Sequence, residues 1–455
     1  MGSMLALNIA EKGFQISVFN RTTEITRKFS KTAGKLSENI TPCETLHELV
    51  TTIKNPRAII LMVPAGSAVD EQIGALRPLL NPEDIIIDAG NADYNQTNRR
   101  ASEALENGTG FLGIGVSGGE TGARYGPSIM SGGSKQSWDK VSHLFEAIAA
   151  KYDGQPCAKW MGEEGSGHFV KTVHNGIEYA DMQMIAEIYG VMRDGMQLDA
   201  RECSEVFARW NNGALKSYLI EITATVLSAK DIETGKPIIE LIIDRAGQKG
   251  TGRWTAIEAQ HLGAPIPIIE AAVAARNLSA DLKTRRNGEL VFGPAPKILP
   301  EGSLDLDDLE AALIAGKILC YAQGFALLSS ANSTFNWALP LPEIAKVWRE
   351  GCIIRSSMLN DMASALAQNP IENLTFAPYF ADILKSKSNI LRKVVTNSLA
   401  SGLPIPALSS ALTYFDMMRT GRSTANMIQA QRDYFGAHSF ERFDKQGAHH
   451  GPWND

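Results

Sequence analysis

Lys171, His174, Asn175 and Glu178 stand at positions i, i+3, i+4 and i+7. At about 100° per residue this spacing brings a base, an acid and two hydrogen-bonding side chains to one face of a helix. Val170, Val173, Ile177 and Met184 take the other side. One reading is a solvated face with local pairing. Surface faces favour Glu, Lys, Gln and Ala, however, and His, Asn and Gly are poor helix formers, so the convergence points to a site. A lysine and a glutamate held together on such a face could take up and give protons.

Three other segments carry candidate chemistry. Gly115–Gly126 contains Ser117-Gly118-Gly119 after a strand. Glycines there let backbone amides approach a ligand, and the serine can bind a carboxylate or hydroxyl, although an ordinary flexible turn has the same composition. Asn20-Arg21-Thr22 follows an earlier strand where an NAD-preferring dinucleotide fold places an acidic residue; a guanidinium suits a 2′-phosphate, and a plain surface arginine is the alternative. Gln248-Lys249-Gly250-Thr251-Gly252 resembles a phosphate cradle without P-loop spacing, which argues against ATP. Arg432 and His438 near the C-terminus would, taken alone, read as surface residues. The eight histidines form no H-E-x-x-H pattern, and His168 and His174 point to different helix faces, so no metal site is expected.

The elements that must position these residues change character along the chain. A helical pattern at 4–12 leads to a strand at Phe14–Phe19, and further apolar bursts follow at Ala58–Val63, Ile85–Asp88 and Phe111–Val116. Alternating helix and buried strand predicts a parallel, doubly wound sheet with ligands at the strand ends. From about Gly165 long helical stretches dominate, and Gln429–Asp455 has too few aliphatics for a core, so it is a loose tail or one that docks elsewhere. The expected organisation is an α/β Rossmann-like domain over 1–163, an all-α domain over 164–425 and a C-terminal tail over 426–455. The 455 residues and 44% hydrophobic content support more than one core. A net charge of -6 argues against nucleic acid or a membrane surface as partner. Five scattered cysteines suit a reducing cytoplasm. No leader segment and no run approaching a membrane span is evident, so a soluble cytoplasmic protein is expected.

Ser117-Gly118-Gly119 together with G-x-G-x3-K-x3-N, ending at Lys171 and Asn175, resembles the β-hydroxyacid dehydrogenases. His174, Glu178, Tyr179, the Lys249–Gly252 loop and the Arg432–His438 segment narrow the resemblance to the 6-phosphogluconate dehydrogenases, over Met1 to about residue 445. The resemblance implies NADP-dependent, metal-independent oxidative decarboxylation of 6-phosphogluconate to ribulose 5-phosphate in the pentose phosphate pathway. It implies Lys171 as general base and then acid, and Glu178 as the acid that protonates the enediol. Ser117, Gly118, Gly119, His174 and Asn175 would hold the carboxylate end and hydroxyls, with Asn91 near both substrate and cofactor. Tyr179, Lys249 and Arg276 would bind the phosphate, with Arg432 and His438 reaching in from the neighbouring subunit of a homodimer. Asn20, Arg21 and Thr22 would take the 2′-phosphate end of NADP, and Val63, Pro64 and Ala65 would line the cofactor cleft.

The sequence departs from that family at Pro64, where many members carry lysine, and at Ala89, where glycine is frequent. The first strand and first glycines of the dinucleotide fingerprint are also absent, leaving Gly2 as its final glycine. The expectation is that about ten residues are missing ahead of Met1. A gap would then separate Ala58–Val63 from Ile85–Asp88, and cofactor binding would be impaired. A dehydrogenase for a smaller unphosphorylated acid would not need Lys249, Arg276, Arg432 and His438 together. A binding subunit without cofactor would keep only the sugar-phosphate groups, and a scaffold leaves the Lys171–Glu178 face unexplained.

Overall fold

The computed structural model describes residues 1–248, 250–369 and 373–453. Helix α1 (Gly2–Glu11) leads to β1 (Ile16–Val18), α2 (Thr23–Thr32), β2 (Ile40–Pro42) and α3 (Leu46–Thr52). Then come β3 (Ala58–Leu61), α4 (Ser67–Leu76), β4 (Ile85–Asp88), α5 (Tyr94–Glu106) and β5 (Gly110–Ser117). The α/β part closes with α6 (Gly119–Tyr125), β6 (Ser128–Gly133), α7 (Lys135–Ile148) and the short β7 (Lys151–Tyr152), β8 (Gln155–Pro156) and β9 (Ala158–Gly162).

Five strands form the main sheet in the order β3-β4-β5-β6-β9. Its apolar runs are continuous because both faces are covered. Ile85 and Ile87 pack with Leu5, Ile9 and Phe145, while Ile86 packs with Val69, Ile73 and Leu76 on the other side. The Rossmann-like α/β class therefore holds, with one departure from an all-parallel sheet. β6 runs antiparallel to β5, because the 118–127 connection is shorter than the roughly dozen residues of a parallel crossover.

The expected gap is misplaced. β3 pairs with β4 in parallel over the whole register from Ala58↔Ile85 to Leu61↔Asp88, whereas β1 pairs with β2 in a separate two-stranded sheet. The discontinuity thus lies between β1 and β3. The miscount has a local cause: β2 is three residues long and ends in Pro42, so it offers no alternation to read. With β2 counted, Ala58–Leu61 becomes a strand of the second half of the fold.

The remainder is helical. α8 (Ser166–Gly190), α9 (Ala200–Trp210), α10 (Tyr218–Ser228), α11 (Thr251–His261), α12 (Pro267–Ala280) and α13 (Leu282–Phe292) come first. They are followed by α14 (Leu306–Phe335), α15 (Leu341–Val347), α16 (Met358–Gln368), α17 (Pro378–Ala400), α18 (Pro406–Met418) and α19 (Ala425–Gly436). One large core joins α8, α14 and their neighbours. α14 corrects the expectation about membrane-length runs: it is long and apolar enough to qualify, but 94% of its most apolar window is buried inside the protein. It is the central beam of the helical part.

Candidate active site

The turn that opens α8 lies flat on the sheet because glycines meet there. A Cβ on Gly115 of β5 would come within 2.4 Å of the Lys171 Cβ, and one on Gly167 within 2.3 Å of the Gly132 nitrogen. The G-x-G spacing therefore admits the helix, and the lysine one turn later is pressed against the strand. The face read as polar is not solvated: Lys171 is 6%, His174 0% and Asn175 7% exposed, while the Glu178 side chain retains 22%.

Within this face Lys171 Nζ donates to Asn175 Oδ1 and lies 3.4 Å from His174 Nδ1. His174 Nδ1 is 3.1 Å from Asn175 Oδ1 and 3.8 Å from Glu178 Oε2. Its Nε2 faces the Ser117 hydroxyl at 3.2 Å. With the proton on Nδ1 donated to Asn175, Nε2 accepts from Ser117, a tautomer assigned from the network. Gly118 adopts a left-handed φ of 103°, and a Cβ there would lie 2.5 Å from the Gly351 oxygen. The Ser117–Gly119 loop is thus moulded against the segment after α15, where Trp348 also stands edge-on to His174 at 5.8 Å.

One physical cause shifts both the amine and the carboxyl. Burial pushes the Lys171 ammonium below the ordinary lysine range, against the pull of the Glu178 carboxylate. Burial also pushes Glu178 above the usual carboxylate range, opposed by Lys171 and Arg276. His174 is driven well below the ordinary imidazole value by burial and by Lys171. Desolvation thus makes the amine easier to leave neutral and able to take a proton, and the carboxyl easier to protonate and able to give one, while the two charges, when present, support each other.

The next turn assembles a second group. The Arg276 guanidinium lies 3.7 Å from the centroid of the Tyr179 ring, and a Cβ on Gly252 would come within 2.4 Å of the same ring. Tyr179, Arg276 and the start of α11 therefore converge beside Glu178. Lys249 lies outside the described residues. Asn91, Lys171 and Asn175 line one narrow crevice with Ala92, His168, Thr172 and Thr251. Thr251 belongs to the 248–252 segment read as a phosphate cradle; Ala92, His168 and Thr172 were missed as site residues, although His168 stands one turn before Lys171.

The proposed cofactor residues lie at the carboxyl ends of the strands. Asn20, Arg21 and Thr22 are exposed after β1, where Asn20 Oδ1 accepts from the Thr22 nitrogen at 2.9 Å. Val63 is half-buried, while Pro64 and Ala65 are exposed in the loop after β3. The Val63 oxygen stands 3.1 Å from where a Cβ on Gly90 would be, so this loop meets the one carrying Asn91. Gly2 opens α1 with its absent Cβ 3.2 Å from Met62, which is close helix-on-strand packing of the kind the last fingerprint glycine permits.

Arg432 and His438 are not brought to this group within their own subunit. Arg432 bonds Gln429 at 3.0 Å, and the His438 ring packs on Phe435. The tail is not loose either. Buried Asp433 accepts from the Ser439 and Gly451 nitrogens at 2.9 Å each, from Trp453 Nε1 at 2.7 Å, and pairs with His450 Nδ1 at 2.6 Å. The sequence shows only a composition poor in aliphatics; the fold is made by one aspartate and has no periodicity to read.

Residues 1–162 match the NAD binding domain of 6-phosphogluconate dehydrogenase, and residues 167–453 match its C-terminal domain. An NADP(+)-dependent, decarboxylating 6-phosphogluconate dehydrogenase of Bacillus subtilis (strain 168) is 47% identical, covering 100% of this chain and 97% of that protein. An NAD(+)-dependent one from the same organism is 45% identical with the same coverage. The solved 6-phosphogluconate dehydrogenase of Plasmodium falciparum, described in apo form and with NADP+ or 6-phosphogluconate, superposes with a TM-score of 0.96 at 43% identity, covering 100% of this chain and 98% of that one. The chain belongs to the 6-phosphogluconate dehydrogenase family of oxidoreductases.

Proposed function

We propose that this chain oxidises 6-phospho-D-gluconate with NADP and releases CO2 to give D-ribulose 5-phosphate. The observation that carries the reading is the buried Lys171 held by Asn175 and His174 beside the partly buried Glu178. NADP, when bound, supplies the hydride acceptor. Neutral Lys171 takes the proton of the substrate hydroxyl, and the resulting β-keto acid can lose CO2. The Lys171 ammonium then returns its proton to the carbonyl oxygen as the carbon–carbon electron pair moves in. Glu178 protonates the carbon of the resulting enediol. Ser117, Gly118, Gly119, His174 and Asn175 orient the carboxylate end and hydroxyls, while Tyr179, Lys249 and Arg276 hold the phosphate. The direct test is conversion of 6-phosphogluconate with release of CO2 and appearance of NADPH; an unphosphorylated hydroxy acid turned over as well would overturn the phosphate assignment.

The family contains both NAD- and NADP-named relatives, so membership alone does not choose the cofactor. Arg21 supports NADP: it is exposed, makes no hydrogen bond or ion pair among the described residues, and has no acidic residue beside it at the end of β1. Asn20 and Thr22 complete the 2′-phosphate end, with Asn91, Val63, Pro64, Ala65 and Gly2 along the cleft. A charge-assisted contact contributes roughly 1.5–3 kcal/mol, so Arg21→Ala should cut the preference for NADP over NAD by about tenfold or more. Equal specificity constants in the parent protein would refute this assignment.

Arg432 and His438 serve the partner's phosphate site in a homodimer. Supporting this, the tail's hydrogen bonds among the described residues stay within the tail, and its helix exposes Met427, Ile428, Tyr434 and Phe435. Mixing inactive Lys171→Ala subunits with inactive Arg432→Ala subunits should restore activity. Random pairing makes half the dimers hybrid with one intact site each, so about a quarter of normal turnover is expected. Hybrid dimers that form but remain dead would rule out the exchange. The five cysteines, buried and unpaired, fit a cytoplasmic setting.

A further inference from the structure

Three successive contacts tie α5 of the sheet domain to the helical part. Tyr94 Oη donates to Glu258 Oε2 at 2.8 Å, Thr97 Oγ1 meets His168 Nδ1 at 2.7 Å, and Asn98 Oδ1 accepts from the Gly165 nitrogen at 2.6 Å. The last two anchor α5 to the start of α8. The first reaches α11, and it is buried: Tyr94 is 5% and Glu258 6% exposed. The Tyr94 ring is set among Phe169, Phe335 and Trp337 at centroid distances of 5.1, 5.6 and 5.7 Å. Burial, and then the Glu258 carboxylate, raise the Tyr94 phenol well above its ordinary value, so it remains a donor. The exposed His261 is a second neighbour of Glu258 Oε2, at 3.5 Å.

The placement of this pair matters more than its strength. Asn91 stands three residues before Tyr94 on the loop that faces the cofactor cleft. Gly250 and Thr251 open the helix that carries Glu258, and Thr255 on that helix donates to the Thr172 oxygen of α8 at 2.7 Å. Holding two helices together needs only apolar packing. A buried carboxylate is costly unless hydrogen-bonded, and what it adds is direction: a charge-assisted bond fixes where one helix lies along the other. We propose that Tyr94 and Glu258 are positioning residues whose bond latches the cofactor-side loop at Asn91 to the substrate-side loop at Gly250–Thr251. The latch sets the distance between hydride donor and acceptor. It rests on the reaction proposed above and deepens it.

Tyr94→Phe keeps the ring in its aromatic setting and removes only the hydroxyl. Its kcat should fall by about tenfold to hundredfold, as expected for a small misplacement of reacting groups, with both KM values within about threefold of the parent. The isotope effect on substrate deuterated at the hydride-donating carbon should rise. Glu258→Gln, whose amide oxygen still accepts, should stay near parental turnover. Glu258→Leu should fall as far as Tyr94→Phe, and the double Tyr94→Phe/Glu258→Leu should fall no further. Amide hydrogen exchange of the ligand-free protein reads the latch independently of catalysis: residues 90–98 and 251–258 should exchange faster in Tyr94→Phe and Glu258→Leu. Losses carried only by KM, a double variant whose loss is the product of the singles, or unchanged exchange would each overturn the latch. An inactive parent protein with the faster exchange in the variants would sink the proposed reaction and leave the latch standing.

Discussion

Replacing Lys171 by alanine is expected to lower kcat by about 10²–10⁴, the usual share of a positioned general base, while substrate binding survives largely intact. The reason is geometric as well as chemical. Lys171 is pinned by Gly115 behind it and by Asn175 and His174 beside it, so no neighbouring side chain can take over its reach. Ser117, Tyr179 and Arg276 make their contacts without it, which is why KM should move little. Wild-type turnover in that variant would remove Lys171 from the mechanism. The same group should govern the acid side of the pH profile, because activity needs the neutral amine and is lost as pH falls through its depressed pKa. The Glu178 carboxylate holds the Lys171 pKa up against desolvation. Glu178→Gln removes that negative charge, so the acid limb of kcat/KM should move to lower pH even as turnover drops. A shift to higher pH, or none, would mean that Lys171 is not the group titrating there.

How much of this could be read from the chain follows from the range of each interaction. The Lys171–Glu178 face spans two helical turns, so covalent geometry alone aligns it. What the spacing could not disclose is that the face is buried, since that depends on Gly113, Gly115 and Gly132 arriving from strands some 40–60 residues earlier. The runs Ile85–Asp88 and Phe111–Val116 were legible because both sheet faces are covered and, Asp88 apart, every position is apolar or glycine. β2 was not, being short and ending in proline, and the misplaced gap followed from that omission. Tyr94 and Glu258 lie 164 positions apart; neither has a local pattern that names its partner. Trp348, which stands against His174, and Gly351, which backs the Ser117–Gly119 loop, were likewise outside any motif. Asp433 looks like a surface acid in the sequence and is the centre of the tail's fold.

The largest stability effect is expected from a pair that the reaction does not use. Lys317 on α14 donates to both carboxylate oxygens of Asp181 on α8, at 2.8 and 2.6 Å. The two side chains are 0% and 2% exposed. Asp181 lies on the same helix as Lys171 and Glu178, so this pair fixes α8 against the central beam of the core. Lys317→Met removes one partner and leaves a carboxylate without water or counter-charge, which costs about 3–5 kcal/mol. For a helical unit of this size that corresponds to a melting temperature lower by roughly 6–15 °C. Replacing both, as Lys317→Met with Asp181→Leu, removes the stranded charge and should recover most of the loss, since well-packed apolar substitutes for a buried pair are often neutral or better. The comparison separates desolvated charge from lost packing: a single variant that melts within about 2 °C of the parent, or a double variant no more stable than the single, would show that the pair is not what holds α8 to α14. Glu187 gives an internal contrast on the same helix. Its buried carboxylate accepts from the Ala407 and Leu408 nitrogens at 2.7 and 2.9 Å, and burial pushes it up to about 7. Glu187→Gln keeps an acceptor for one of these nitrogens and turns an amide NH2 to the other, so it loses one hydrogen bond along with a charge that desolvation already disfavours; leaving no stranded charge, it should destabilise less than Lys317→Met.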